Sequence, residues 1–132
     1  MAQSLNQEIK PEINTDPENK GFINRRRHVR VYYPVGSPPI FLPELIVNHR
    51  NCRLLDISEG GIRFAVSNAS LIKNGNIKAL LRFSDGEELE ICGVVVRRDR
   101  NQIALKLEAG IPYCRIMSEQ LRLRNLEING LI

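Results

Sequence analysis

The chain has 132 residues, 42% of them hydrophobic, enough for one packed core and too few for two. Its formal charge of +4 is concentrated: Arg25, Arg26, Arg27 and Arg30 place four positive charges within six positions that hold no acid, and basic and acidic residues balance elsewhere. A compact anion fits such a cluster better than a nucleic-acid backbone, which calls for charge spread along a face. With no Trp, three Tyr and four Phe there are few rings for bases to stack on, so nucleic acid is excluded as the expected partner.

Residues 1–24 mix isolated apolar side chains with Asn, Gln, Glu, Lys and two prolines and show no periodic face, which predicts a flexible N-terminal tail over 1–21. No basic start runs into a long apolar stretch, and no run approaches the roughly 20 apolar residues needed to cross a bilayer. The expectation is a cytoplasmic protein without membrane insertion. After the arginines, residues 31–35 lead into a break at Gly36-Ser37-Pro38-Pro39. Residues 40–47 turn apolar but contain Pro43, which predicts an edge or bulged strand.

A second strand is expected over 51–57. After Glu59-Gly60-Gly61, Ile62, Phe64 and Val66 alternate with Arg63 and Ala65 at the period of a half-buried strand. Ile77, Ala79, Leu81 and Phe83 repeat that period, Asp85-Gly86 signals a hairpin, and Leu89, Ile91, Gly93 and Val95 follow. A polar turn at 98–101 precedes Ile103, Leu105 and Leu107. Six short strands with no helical crossover predict an all-β antiparallel meander that hides its edges by closing into a barrel. Past Gly110 and Pro112, Cys114, Met117, Leu121, Arg124 and Ile128 fall on one helical stripe. A C-terminal helix is therefore expected over 113–128, although the alternation of residues 121–124 also fits a strand.

Catalytic signatures are missing. There is no GxSxG nucleophile motif and no GxxxxGK[ST] phosphate loop, so an enzyme is not expected. Cys52, Cys92 and Cys114 form no CxxC pair, and His28 and His49 are too distant from them for a zinc site. Three cysteines, an odd number, read as buried free thiols in a reducing compartment.

Two short patterns remain. Arg26-Arg27-His28-Val29-Arg30 reads RxxxR ahead of the first strand, and Asp56-Ile57-Ser58-Glu59-Gly60-Gly61 reads DxSxxG at a turn between strands. Arg clamps phosphate in a fork, pairs with guanine O6 and N7, and stacks on purines. A carboxylate such as Asp56 accepts from guanine N1–H and N2–H, a donor pair adenine lacks. Ser58 lies one strand period beyond Asp56, and Gly60 and Gly61 allow positive φ and close backbone approach to a ligand. Each pattern also has a plainer reading: a solvated basic patch for the arginines, and an Asx-type turn for Asp56 and Ser58.

Together, in this order and ahead of a meander with a C-terminal helix, the two patterns resemble the PilZ domain family of bacterial cyclic di-GMP receptors, over roughly residues 22–128. The resemblance implies a six-stranded barrel and cyclic di-GMP as ligand, with no further cofactor. It implies a site formed by Arg25, Arg26, Arg30, Asp56, Ser58, Gly60 and Gly61. A basic residue at the place of Arg25 implies a stacked pair of ligand molecules. Relatives often carry a glycine and an aromatic residue in the last strand, where this chain has Ala104 and Leu107. The expected role is an adaptor whose arginine arm orders on binding and which signals through a partner protein. The alternative is a PilZ-like interaction protein that binds no nucleotide.

Overall fold

The computed structural model describes residues 29–132. The expected tail and the Arg25–Arg27 part of the arm lie outside the described residues. Seven strands and one helix follow: β1 (Val31–Tyr32), β2 (Glu44–Val47), β3 (Arg50–Ile57), β4 (Gly61–Ala65), β5 (Asn76–Arg82), β6 (Glu88–Arg98), β7 (Gln102–Leu107) and α1 (Tyr113–Ile128).

Every pairing is antiparallel. The order β3-β2-β5-β6-β7-β4 returns to β3 through the β3–β4 pairing, which closes a six-stranded barrel, and β1 adds a two-residue flank to β3. Closure follows from the alternation of apolar residues. Leu45, Leu54, Ile62, Phe64, Leu81 and Ile103 are at most 1% exposed and point inward; burying side chains of this size contributes about 1.5–3 kcal/mol each.

Two expectations, for the run 40–47 and for the thiols, need correction. The run 40–47 is not one bulged strand: residues Pro39–Phe41 form a 3-10 turn, and β2 begins after Pro43. Because the proline precedes the strand, β2 keeps its donors and sits between β3 and β5 rather than at an edge. Regular pairing of β1 covers only Val31–Tyr32, since Pro34 and Gly36 turn the chain away after Tyr33 N–H donates to the Leu55 carbonyl. The thiols are not all buried: Cys52 and Cys92 are half-buried and Cys114 is exposed, all three free.

Helix α1 has the expected bounds but a different inner stripe. Ile116, Glu119 and Leu123 are buried and Leu126 packs partly against the core, whereas Cys114, Leu121 and Ile128 of the expected stripe face outward. A buried acid set the orientation, and a search for apolar spacing passes over it. Glu119 accepts from Tyr33 Oη at 3.2 Å and from Arg122 Nε and Nη2 at 2.7 and 2.8 Å, and Arg122 Nη2 also donates to the Phe41 carbonyl at 2.9 Å. Burial, followed by the Glu119 carboxylate, pushes the Tyr33 hydroxyl far up from its ordinary value.

The first turn of α1 is tied to the β5–β6 hairpin. Arg115 forks onto Asp85 at 2.7 and 2.8 Å, and its guanidinium stacks 3.9 Å above the Phe83 ring. The Arg115 hydrogen bonds, then the Glu87 backbone N–H, lower the Asp85 carboxyl from 3.8 to about 2. A depressed carboxyl contributes stability that is complete above the ordinary aspartate value and is lost as pH falls through the folded one. The melting-temperature gap between the parent and Asp85→Asn should therefore stay constant from neutral pH to about 5 and close on the way to about 2. A gap that persists at pH 2 would disprove the clamp.

Candidate functional site

The DxSxxG segment begins in β3 and turns into β4, and a register break shapes it. Leu54 pairs with Phe64 and Ile57 with Ile62, all four buried inward, so two residues of β3 oppose Arg63 alone. This bulge leaves Asp56 paired with Arg63 on the outer side of the sheet instead of following the strict two-residue period. From the other flank, β1 pairs Val31 with Ile57 and Tyr32 with Asp56. Val31 and Tyr33 point inward, so Arg30 and Tyr32 point out over the acid.

The two patterns therefore meet. Arg30 Nη1 donates to Asp56 Oδ1 at 2.7 Å, and Arg63 Nε donates to Asp56 Oδ2 at the same distance. Arg63 Nη1 also donates to Gln102 Oε1 at 3.0 Å, across the β4–β7 pairing. Asp56 is 1% exposed beneath these guanidinium groups.

Ser58 and the glycines hold the turn. Ser58 N–H donates to the Gly61 carbonyl at 2.9 Å, and its hydroxyl donates to the same oxygen at 3.3 Å; the Asx-type turn differs from this, since there the side-chain oxygens of Asp56 and Ser58 would accept from backbone N–H groups. Leu107 N–H donates to the Gly60 carbonyl and Ile111 N–H to the Glu59 carbonyl, both at 2.9 Å. Neither Gly60 nor Gly61 adopts positive φ, contrary to expectation. Gly61 is needed for another reason: a Cβ there would stand 2.8 Å from the Leu105 carbonyl oxygen, so any larger residue would push β7 away. Gly110, at φ +77°, allows the matching approach from the far side, where a Cβ would lie 2.6 Å from the Glu59 oxygen.

Arg30, Asp56, Ser58, Gly60 and Gly61 line one open cleft of about 660 Å³, within the usual size range of small-molecule sites. Of the expected site residues, Arg25 and Arg26 lie outside the described residues. Sequence reasoning missed four others on the same walls. Arg63 comes from β4 and Lys106 from β7; Arg97 follows a second bulge in β6, which also pushes Val96 out to the rim. Tyr32, 62% exposed, adds an aromatic face. The cleft thus carries four cations against one carboxylate, an electrostatic trap for an anion with a purine-stacking edge. Only the register of β4 and β7 could have shown that Arg63 and Lys106 belong beside Asp56.

Among the described residues no three His, Cys, Asp or Glu side chains gather to hold a metal, and no helix is long and apolar enough to cross a membrane.

Comparison with known proteins gives a concordant result. The family model of the PilZ domain matches residues 24–123. No curated protein sequence matches the chain. Among solved structures, the Bacillus subtilis inhibitor of motility (MotI/DgrA) is similar at a TM-score of 0.54 and 18% identity, covering 81% of this chain and 53% of that one. The chain thus spans about half the length of that protein, and at this identity the likeness concerns the fold alone. An uncharacterised Legionella protein is similar at a TM-score of 0.44 and 18% identity, over 77% of this chain and 97% of its own.

Proposed function

The chain belongs to the PilZ domain family, and from that premise we propose that it is a non-catalytic receptor that binds cyclic di-GMP in the cleft between β1 and the β3–β4 turn. The observation that carries this reading is the meeting of Arg30 with Asp56, Ser58, Gly60 and Gly61 on the walls of one cation-rich cleft. Cyclic di-GMP presents two phosphates and two guanines. Arg30, with Arg25 and Arg26, takes the phosphates and a guanine Hoogsteen edge, Asp56 reads N1–H and N2–H, and Tyr32 offers a stacking face. Neutralised by the phosphates, segment 25–30 folds over the rim and creates a new surface, through which the signal passes to an effector protein in the cytoplasm.

Calorimetric titration with cyclic di-GMP, GTP and a short single-stranded oligonucleotide tests the reading. Binding of the cyclic dinucleotide alone is expected, weaker at higher salt. The oligonucleotide binding best, or nothing binding, overturns it; the second outcome leaves the nucleotide-free adaptor. Arg30→Ala removes a charge-assisted hydrogen bond worth about 1.5–3 kcal/mol, so affinity should fall by roughly one to two orders of magnitude. Unchanged affinity would exclude Arg30 from the site. The same titration reads stoichiometry, with two ligands per chain expected from Arg25 and one counting against its assigned role.

A further inference from the structure

The acid that is to read guanine is covered. At 1% exposure Asp56 offers no open edge, because Arg30 occupies Oδ1 and Arg63 occupies Oδ2. A guanine can reach this carboxylate only if one guanidinium gives way. The two arginines are held very differently. Arg30 precedes β1, its side chain is 43% exposed, and Asp56 is its one hydrogen-bond partner among the described residues. Arg63 sits in the middle of β4, between β3 and β7, and is pinned on both sides by Asp56 and Gln102. Arg30 is the group that can leave.

We propose that Arg63 is the positioning residue of this site: Arg30 exchanges Asp56 for the ligand, while Arg63, anchored by Gln102, keeps Oδ2 and holds the carboxylate turned toward the incoming guanine. The inference rests on the reading of the cleft as a cyclic di-GMP site. The hydrogen-bond count allows the exchange. A carboxylate has about four acceptor sites; Arg63 takes one, and guanine N1–H and N2–H take two more. Without Arg63, the departure of Arg30 would leave a buried carboxylate with no cation, which is strongly unfavourable until the guanine has fully docked. Arg63 would thus set selectivity rather than merely add charge, because only a guanine uses Asp56. Gln102 does not line the cleft and acts through Arg63.

The test compares the full chain with Arg63→Gln, Arg63→Lys and Gln102→Ala, each titrated with cyclic di-GMP and cyclic di-AMP and melted in parallel. Arg63→Gln should lower cyclic di-GMP affinity on the order of 10- to 100-fold, the value of one charge-assisted hydrogen bond. Cyclic di-AMP should lose only the smaller, salt-screened share owed to one cation of the cleft, so that selectivity falls as well. Arg63→Lys keeps the charge but replaces the fork, whose Nε and Nη1 reach Asp56 and Gln102 separately, by a single nitrogen, and should fall between. Gln102→Ala should lose selectivity by a smaller factor, and it carries the test if Arg63→Gln does not fold. Equal losses for both ligands, or unchanged selectivity in Gln102→Ala and Arg63→Gln, would overturn the positioning role while leaving the site intact. A parent chain that binds neither ligand would instead overturn the reading of the cleft, and this inference with it.

Discussion

Asp56→Ala should lose cyclic di-GMP by roughly two to four orders of magnitude, the largest effect on binding expected of any single change in the cleft. Two charge-assisted hydrogen bonds to guanine disappear, each worth about 1.5–3 kcal/mol. The fold should survive, because the two arginines freed by the change are 43% and 38% exposed and can be hydrated where they stand. Asp56→Asn is the sharper probe. Its amide keeps one acceptor but sets a donor against the second guanine donor, so it should bind cyclic di-GMP nearly as poorly as the alanine variant. An acceptor beside a donor also matches the N6–H and N1 of adenine, and the preference should therefore move toward cyclic di-AMP. If Asp56 served only to neutralise Arg30 and Arg63, removing it would bare two cations and tighten the binding of any anion. Calorimetry of the two variants against both cyclic dinucleotides separates these outcomes, and a gain in affinity in Asp56→Ala would rule out a base-reading role.

The sequence was most legible where one physical rule acted alone. In β4, β5 and β7 a single buried face enforces strict alternation, and Ile62, Phe64, Ile77, Leu81, Ile103 and Leu105 are inward as their spacing predicts. Legibility failed where a rule was broken for the sake of the site. The bulge at Leu55 places inward residues three apart, at Leu54 and Ile57, and that irregularity is what aims Asp56 at Arg63. Counting charge along the chain assigned the whole excess to segment 25–30. Strand pairing instead adds Arg63, Arg97 and Lys106 to the same cleft, whose lining holds one acid, Asp56. Pairing register is non-local, so no window of sequence contains it. The helix face was misread for a related reason: Glu119 looks like a solvent residue until Tyr33 and Arg122 are seen to satisfy it.

That buried acid carries the largest expected effect on stability. Glu119 is 2% exposed, and its removal takes the acceptor from the buried Tyr33 hydroxyl and leaves the Arg122 guanidinium, 25% exposed, with the Phe41 carbonyl. Breaking a buried ion pair from one side typically costs about 3–5 kcal/mol, against a total stability of about 5–15 kcal/mol for a domain of this kind. Glu119→Ala should accordingly lower the urea midpoint on the order of 2 M. Tyr33→Phe removes one donor to that carboxylate, which keeps Arg122, and should cost about 1.5–3 kcal/mol. Replacing all three groups, as Tyr33→Phe with Glu119→Leu and Arg122→Met, should recover most of the loss, because the penalty arises from stranded polar groups rather than from a missing attraction. An unchanged midpoint in Glu119→Ala would mean that the network contributes nothing net.

The consequence for binding follows from strand alternation. Tyr33 points inward from the end of β1 to hold α1, while Arg30 and Tyr32 point outward from the same segment into the cleft. Loosening the helix therefore loosens the strand that presents Arg30. Glu119→Ala should lose much stability and some affinity, whereas Arg30→Ala should lose much affinity and little stability. Equal affinity losses in the two variants would mean that α1, rather than the arginine itself, governs the site.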